Sequence, residues 1–117
     1  MFSPLFKKLR EDLPGFRAVA VVGDDGIEVD RFVLEDLPHE VLSAEMNGVL
    51  KTLRRLRGEI AMGPIREVVI RTEAENILLC SLSEGLFILV VTDPATATGR
   101  ARFAIQRLAH EFQNVLK

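Results

Sequence analysis

The chain contains no tryptophan and no tyrosine, and seven phenylalanines are its only aromatics. A stacking platform for single-stranded nucleic acid is therefore poorly supplied. Cysteine occurs once, at Cys80, so no internal disulfide can form and no Cys/His cluster exists for zinc. Neither sign of charge dominates. Fifteen Lys and Arg against 17 Asp and Glu leave a net charge of −2, with no global pull toward nucleic acid or an acidic membrane. No apolar run approaches the roughly 20 residues needed to cross a bilayer. Met1–Leu13 is broken by Lys7, Lys8, Arg10, Glu11 and Asp12, so it does not read as a secretory leader. A cytoplasmic location without membrane insertion is the expectation. The glycines are scattered, with neither G-x-x-x-x-G-K-[ST] nor G-x-G-x-x-G among them, and no nucleotide or other cofactor is expected.

What is present suits one domain over 1–117. Apolar residues make up 48% and charged residues 27% of 117, close to the globular average and long enough to bury a core. Ser3-Pro4 reads as cap and first residue of a short helix over 4–12, which Pro14-Gly15 ends. Phe16–Val22 reads as a buried strand. Ile27–Val33 reads as a half-exposed one, with Ile27, Val29 and Arg31 on one face and Glu28, Asp30 and Phe32 on the other. A long helix is predicted from Pro38 to Ile60, capped by Asp36 or Leu37. Its stripe Leu42, Met46, Val49, Leu53, Leu56, Ile60 has a period of about 3.5, widened by Val41 and Leu50. Ile65–Arg71, Ile77–Leu82 and Leu86–Thr92 read as strands, the last two joined by a hairpin at Ser83-Glu84-Gly85. Leu86–Val91 has no polar gap and should be central. Thr98 caps a final helix from Gly99 to Leu116, with Ala101, Ala104, Ile105, Leu108, Phe112 and Val115 facing inward. The element order α-β-β-α-β-β-β-α makes an α+β fold: a five-stranded antiparallel sheet, the long helix on one face and the terminal helices on the other.

Between the first two strands lies Gly23-Asp24-Asp25-Gly26. A calcium loop needs more oxygen ligands over a 12-residue frame, and a phosphate cradle opens a helix rather than a strand. Asp-Gly is instead a hairpin signal, because Gly tolerates positive φ and Asp bonds locally. No catalytic set emerges. Cys80 sits in an apolar run and reads as a buried inert thiol. His39 and His110 read as solvated surface histidines. Glu73 and Glu75, beside Asn76, belong to a hairpin loop rather than a carboxylate dyad. Neither a metal site nor enzymatic turnover is expected. The basic run Lys51, Arg54, Arg55, Arg57 leaves three readings: a solvated face that suits the helix dipole, contact with an acidic protein surface, or a phosphate footprint, which the neighbouring acids weaken. No nucleic-acid partner is expected.

The hairpin Phe16–Val29, the closing segment Gly85–Val91 through Thr98-Gly99-Arg100, and the long helix between them resemble the roadblock/dynein light chain family over nearly the whole chain. The resemblance implies a roadblock/profilin-like fold and a homodimer through the long helix and the third strand, here Pro38–Ile60 and Ile65–Arg71. Ala44 and Gly48, small and four apart, suit close approach of a second helix. The interface this implies includes Ala44, Asn47, Gly48, Lys51, Arg55, Val68 and Ile70. Pairing one free strand edge with its twin also removes an aggregation liability. Bacterial MglB-like relatives regulate Ras-like GTPases. The resemblance therefore implies a non-enzymatic homodimeric regulator of such a GTPase, with Arg54, Arg55 and Arg57 meeting its acidic surface and stimulated GTP hydrolysis as one outcome. Other family members are structural light-chain subunits, which makes a scaffold without effect on hydrolysis the alternative. The sequence stops directly after its last helix, unlike many MglB-like relatives, so no function is expected from a C-terminal extension.

Overall fold

A computed structural model describes residues 2–83 and 85–116. Met1, Glu84 and Lys117 lie outside them, and with them the Glu84 position of the predicted hairpin. The elements are α1 (Ser3–Asp12), β1 (Phe16–Val22), β2 (Glu28–Val33), α2 (His39–Ile60), β3 (Glu67–Arg71), β4 (Asn76–Ser81), β5 (Phe87–Thr92) and α3 (Thr98–Leu116). The strands form one antiparallel sheet in the order β2-β1-β5-β4-β3. β1 and β5 are central, as their unbroken apolar runs require, and β2 and β3 are the edges.

Side-chain alternation along the strands splits the core in two. Val19, Val21, Leu78, Ile88 and Val90 face α1 and α3, where they meet Ala101, Ala104, Ile105, Leu108 and Phe112. Phe2, Phe6 and Phe112 pack there as tilted rings, 4.2 to 6.2 Å between centroids. Ala20, Val22, Ile77, Leu79, Phe87 and Leu89 face α2, where Leu50 is the apolar residue that joins them in the buried cluster. Five of the phenylalanines are thus core residues. Phe32 is half-buried and Phe103 is exposed.

Several sequence expectations are corrected. Phe2 and Pro38, not Ser3 and Asp36 or Leu37, occupy the cap positions of α1 and α2, and neither makes a side-chain cap bond. Val115 is exposed. The two faces of β2 are not those of simple alternation. Val21 pairs with Asp30 but Val22 pairs with Glu28, so Val29 is the extra residue of a bulge. The bulge sends Glu28 to the α2 side, while Asp30 stays on the α1 side. Asp30 accepts from the N–H groups of Phe2 and Arg31 at 3.0 and 2.9 Å. Burial alone would raise its pKa, but these donors outweigh burial and hold the carboxyl below its ordinary range.

At the far end of the sheet, Arg17 joins three loops. Its guanidinium donates to the Ala74 carbonyl at 2.9 Å and lies 3.6 to 3.8 Å from the carboxylates of Glu35, Glu75 and Asp93. Each such pair is weak alone, but a fixed planar fork gives the set a geometry that one surface pair lacks.

Leu89 lies on the central strand with its side chain buried under α2. Leu89→Ala should lower unfolding free energy by about 2–5 kcal/mol, read by urea denaturation at unchanged m-value. A change under ~1 kcal/mol would remove β5 from the centre of the core.

Candidate protein-interaction surface

The turn after β1 is a turn. Gly23 N–H donates to the Ile27 carbonyl and Gly26 N–H to the Gly23 carbonyl, and the Asp25 carboxylate accepts from the Ile27 N–H at 3.0 Å. Gly26 has φ +82°, and a Cβ there would lie 3.3 Å from both the Ala44 Cα and the Asn47 Nδ2. Only glycine lets α2 press onto the turn this closely. Among the described residues no three His, Cys, Asp or Glu side chains could hold a metal ion. Cys80 is half-buried, and burial with the nearby Glu67 carboxylate pushes its thiol pKa up, so the reactive thiolate is disfavoured.

The start of α2 is held by a polar cluster. The Glu28 side chain, 4% exposed, accepts from His39 Nδ1 at 2.9 Å and from Ser43 Oγ at 2.8 Å, with Arg31 Nε 3.7 Å away. A carboxylate only accepts, so the His39 hydrogen sits on Nδ1. His39 is therefore not the solvated surface histidine its sequence position suggests, whereas His110 is exposed. One turn further on, Asn47 donates to the Asp24 carbonyl at 3.1 Å. The sequence carried no local signal for this cluster, whose members come from a bulged strand and from a helix 11 to 15 residues away.

From that anchor α2 crosses the sheet. It begins against β2, and after residues 61–66 the chain enters β3 at the opposite edge. Its 22 residues span about 33 Å. The four inter-strand spacings beneath total only about 19 Å. Its buried residues, Ser43, Asn47 and Leu50, all lie before Lys51, and from Lys51 onward none is buried. Leu56 and Ile60 stand 41% and 57% exposed. The predicted stripe therefore does not cover the sheet along its length: Leu42 and Met46 pack on the α2-side core, whereas Leu56 and Ile60 face solvent.

The predicted interface residues separate accordingly. Asn47 faces the β1–β2 turn and is not on the free surface. Ala44, Gly48, Lys51 and Arg55 are exposed, and a Cβ on Gly48 would meet nothing within 4 Å. Gly48, Val49, Thr52 and Leu53 line a shallow depression with Glu45. Val68 and Ile70 are half-buried beneath the α2-side core, and between them Val69 is 38% exposed on the other face of β3. Lys51, Arg55 and Arg57 are exposed and Arg54 is half-buried, and none of the four has an ion-pair partner among the described residues. Exposed apolar and basic side chains thus occupy residues 51–60 of α2, and the chain then enters the β3 edge.

A five-stranded antiparallel sheet between one long helix and two terminal ones defines a profilin-like α+β fold. The model of the Roadblock/LC7 domain matches residues 5–92, and the chain belongs to that family of small regulatory and adaptor domains. Among solved structures it is similar to a Roadblock/LC7 domain from Streptomyces avermitilis, at TM-score 0.86 and 15% identity over 96% of this chain and 94% of that one. It is also similar to MglB of Myxococcus xanthus, at TM-score 0.86 and 14% identity over 98% and 96%. A more distant likeness is to profilin II of Acanthamoeba castellanii, at TM-score 0.58 and 15% identity over 91% and 94%. No curated protein sequence matches. At these identities the structural likenesses carry the fold alone. Among the described residues no helix is long and apolar enough to cross a membrane.

His39→Ala leaves a nearly buried carboxylate with one fewer donor. It should cost about 1–3 kcal/mol in urea denaturation, and the loss should be less than additive with Ser43→Ala. Strict additivity of the two would dissolve the cluster as a unit.

Proposed function

We propose that this domain is a non-enzymatic homodimeric regulator that holds a small Ras-like GTPase on its α2 face. The single observation behind the reading is the stretch 51–60 of α2: almost three turns of helix with exposed Leu56 and Ile60 and no buried residue. A helix in that state forgoes most of the burial that stabilises helices in globular proteins, and a second copy supplies it.

The two sheet edges favour the same arrangement. β2 is protected by its bulge and by Glu28, Asp30 and Arg31, whereas β3 is a short regular strand with Val68, Val69 and Ile70 at its centre. Joining two β3 edges antiparallel requires a two-fold axis perpendicular to the sheet. Such an axis preserves the faces, so both α2 helices lie on one side of a ten-stranded sheet. Their basic residues then line one surface, with a charge suited to an acidic protein. Activation of hydrolysis would follow either from remodelling the GTPase's own machinery or from an arginine inserted by the partner. Arg54, Arg55 and Arg57 are the cations placed for contact.

Two measurements test the reading. Titration with a Ras-like GTPase encoded beside this chain should give a complex whose affinity differs between its GDP and GTP-analogue forms, with altered single-turnover hydrolysis as a second readout. A GTPase indifferent in both assays overturns the regulatory function. Gly48→Arg places a long side chain in the open space on α2 and should shift sedimentation equilibrium toward monomer by at least tenfold in Kd, about 1.4 kcal/mol. An unchanged dimer would move the self-contact off this face.

A further inference from the structure

We infer that β3 selects a second copy of this same chain through a single register: antiparallel, with the two-fold axis through Val69, and Glu67 of each protomer opposite Arg71 of the partner subunit. This deepens the self-association proposed above and rests on it.

The hydrogen-bonding pattern fixes which groups are free. Ser81 N–H donates to the Arg66 carbonyl, and Thr72 N–H donates to the Glu75 carbonyl. Positions 66 and 72 therefore turn their backbone groups toward β4, and alternation assigns 68 and 70 to the same side. The N–H and C=O groups of Glu67, Val69 and Arg71 point outward from the sheet edge. Residues directly opposite in an antiparallel pair share a face, and a perpendicular two-fold keeps each residue on its own face. The axis must therefore pass through a residue and not between two.

Of the five residues of β3, Glu67 and Arg71 as centres would each set a charge against its own copy, which leaves three. An axis through Val68 sets Glu67 against Val69 of the partner subunit and leaves both charges unmatched. An axis through Ile70 sets Glu67 against Glu73 of the partner subunit, a like-charge pair. An axis through Val69 alone sets acid against base at both ends, and it closes all the outward backbone groups of β3 in three reciprocal pairs. It also pairs Val68 with Ile70 on the α2 side, extending the apolar layer under α2. On the other side the two Val69 side chains, 38% exposed in the protomer, cover each other.

The charges are prepared for this. Glu67 is held in place by an ion pair with Arg102, which leaves part of its carboxylate free to accept. Arg71 is exposed and has no ion-pair partner among the described residues. The order Glu-Val-Val-Ile-Arg is complementary to itself when reversed. A related chain with another order of signs at these positions cannot match both ends, so the edge favours like over unlike copies.

Charge exchange in the full chain tests this. Glu67→Arg and Arg71→Glu each turn both end pairs into like charges, and each should dimerise roughly tenfold more weakly than wild type at low salt. An equimolar mixture of the two should recover wild-type affinity as a heterodimer, which loss of the Arg102 contact cannot explain. The double variant E67R/R71E should pair with itself and not with wild type. A cysteine readout guards against misfolded charge variants. In a Cys80→Ser background Val69→Cys should oxidise to a covalent dimer, because facing residues at the axis lie about 5.5 Å apart, and Val68→Cys should not. A wild-type dimer whose two single variants fail to rescue each other, or which cross-links through position 68, overturns the register and leaves self-association standing. A wild type that stays monomeric at high micromolar concentration overturns both.

Discussion

The sheet is narrower than the helix that crosses it. Five strands present about 19 Å of width, and α2 brings about 33 Å. The connection from β2 at one edge to β3 at the other obliges the helix to traverse the whole sheet, and the excess length can only extend past it or along it. Each end of α2 therefore has a different physical task. The first half closes the core over Ala20, Val22, Leu79 and Leu89, and the second half carries apolar and basic side chains into solvent. That half leads through residues 61–66 into the β3 edge. The two unsatisfied features, an uncovered helix and an unpaired strand, are thus adjacent because of the topology rather than by a separate choice.

What fixes the overhang is the opposite end. Glu28, His39 and Ser43 tie the helix start to β2, and Gly26 lets Asn47 settle on the β1–β2 turn. A buried carboxylate held by two hydrogen-bond donors from α2 is costly to leave unmade, so α2 cannot slide along the sheet to bury Leu56 and Ile60 instead. Specificity of placement is achieved with polar contacts, in a layer where apolar packing alone would tolerate several registers. The bulge at Val29 is part of the same device. Without the extra residue Glu28 would point to the α1 side, away from both donors.

The legible parts of the fold were those written locally. Asp25-Gly26 announced a turn because positive φ and an Asx bond are properties of two residues, and the unbroken run Leu86–Val91 announced a central strand because only burial on both faces tolerates it. The family pattern carried the element order, which the structure follows throughout. Illegible were the features that depend on residues far apart. The bulge reversed the face of Glu28, and with it the reading of His39. The 3.5-residue stripe of α2 correctly grouped residues on one side, but periodicity states which side chains share a face and not what lies opposite. Leu50, placed on the flank, became the buried contact, and Leu56 and Ile60, placed in the seam, became exposed. Asn47, grouped with Gly48 by adjacency, points the other way, because neighbours on a helix diverge by about 100°.

The domain's charged side chains hold its elements in place. Its titratable side chains are spent on position: Asp30 on the entry of α1, Glu28 on the entry of α2, Arg17 on three loops, Glu67 on Arg102. Among the described residues, the cations without an ion-pair partner include Lys51, Arg54, Arg55 and Arg57 on α2 and Arg71 on the β3 edge. Cationic and flanked by exposed aliphatic side chains, that surface matches the anatomy of a protein contact, in which an apolar centre supplies affinity and a charged rim supplies selection. The β3 edge repeats the same division at smaller scale: three aliphatic residues between one acid and one base, with the aliphatics indifferent to which strand arrives and the charges decisive.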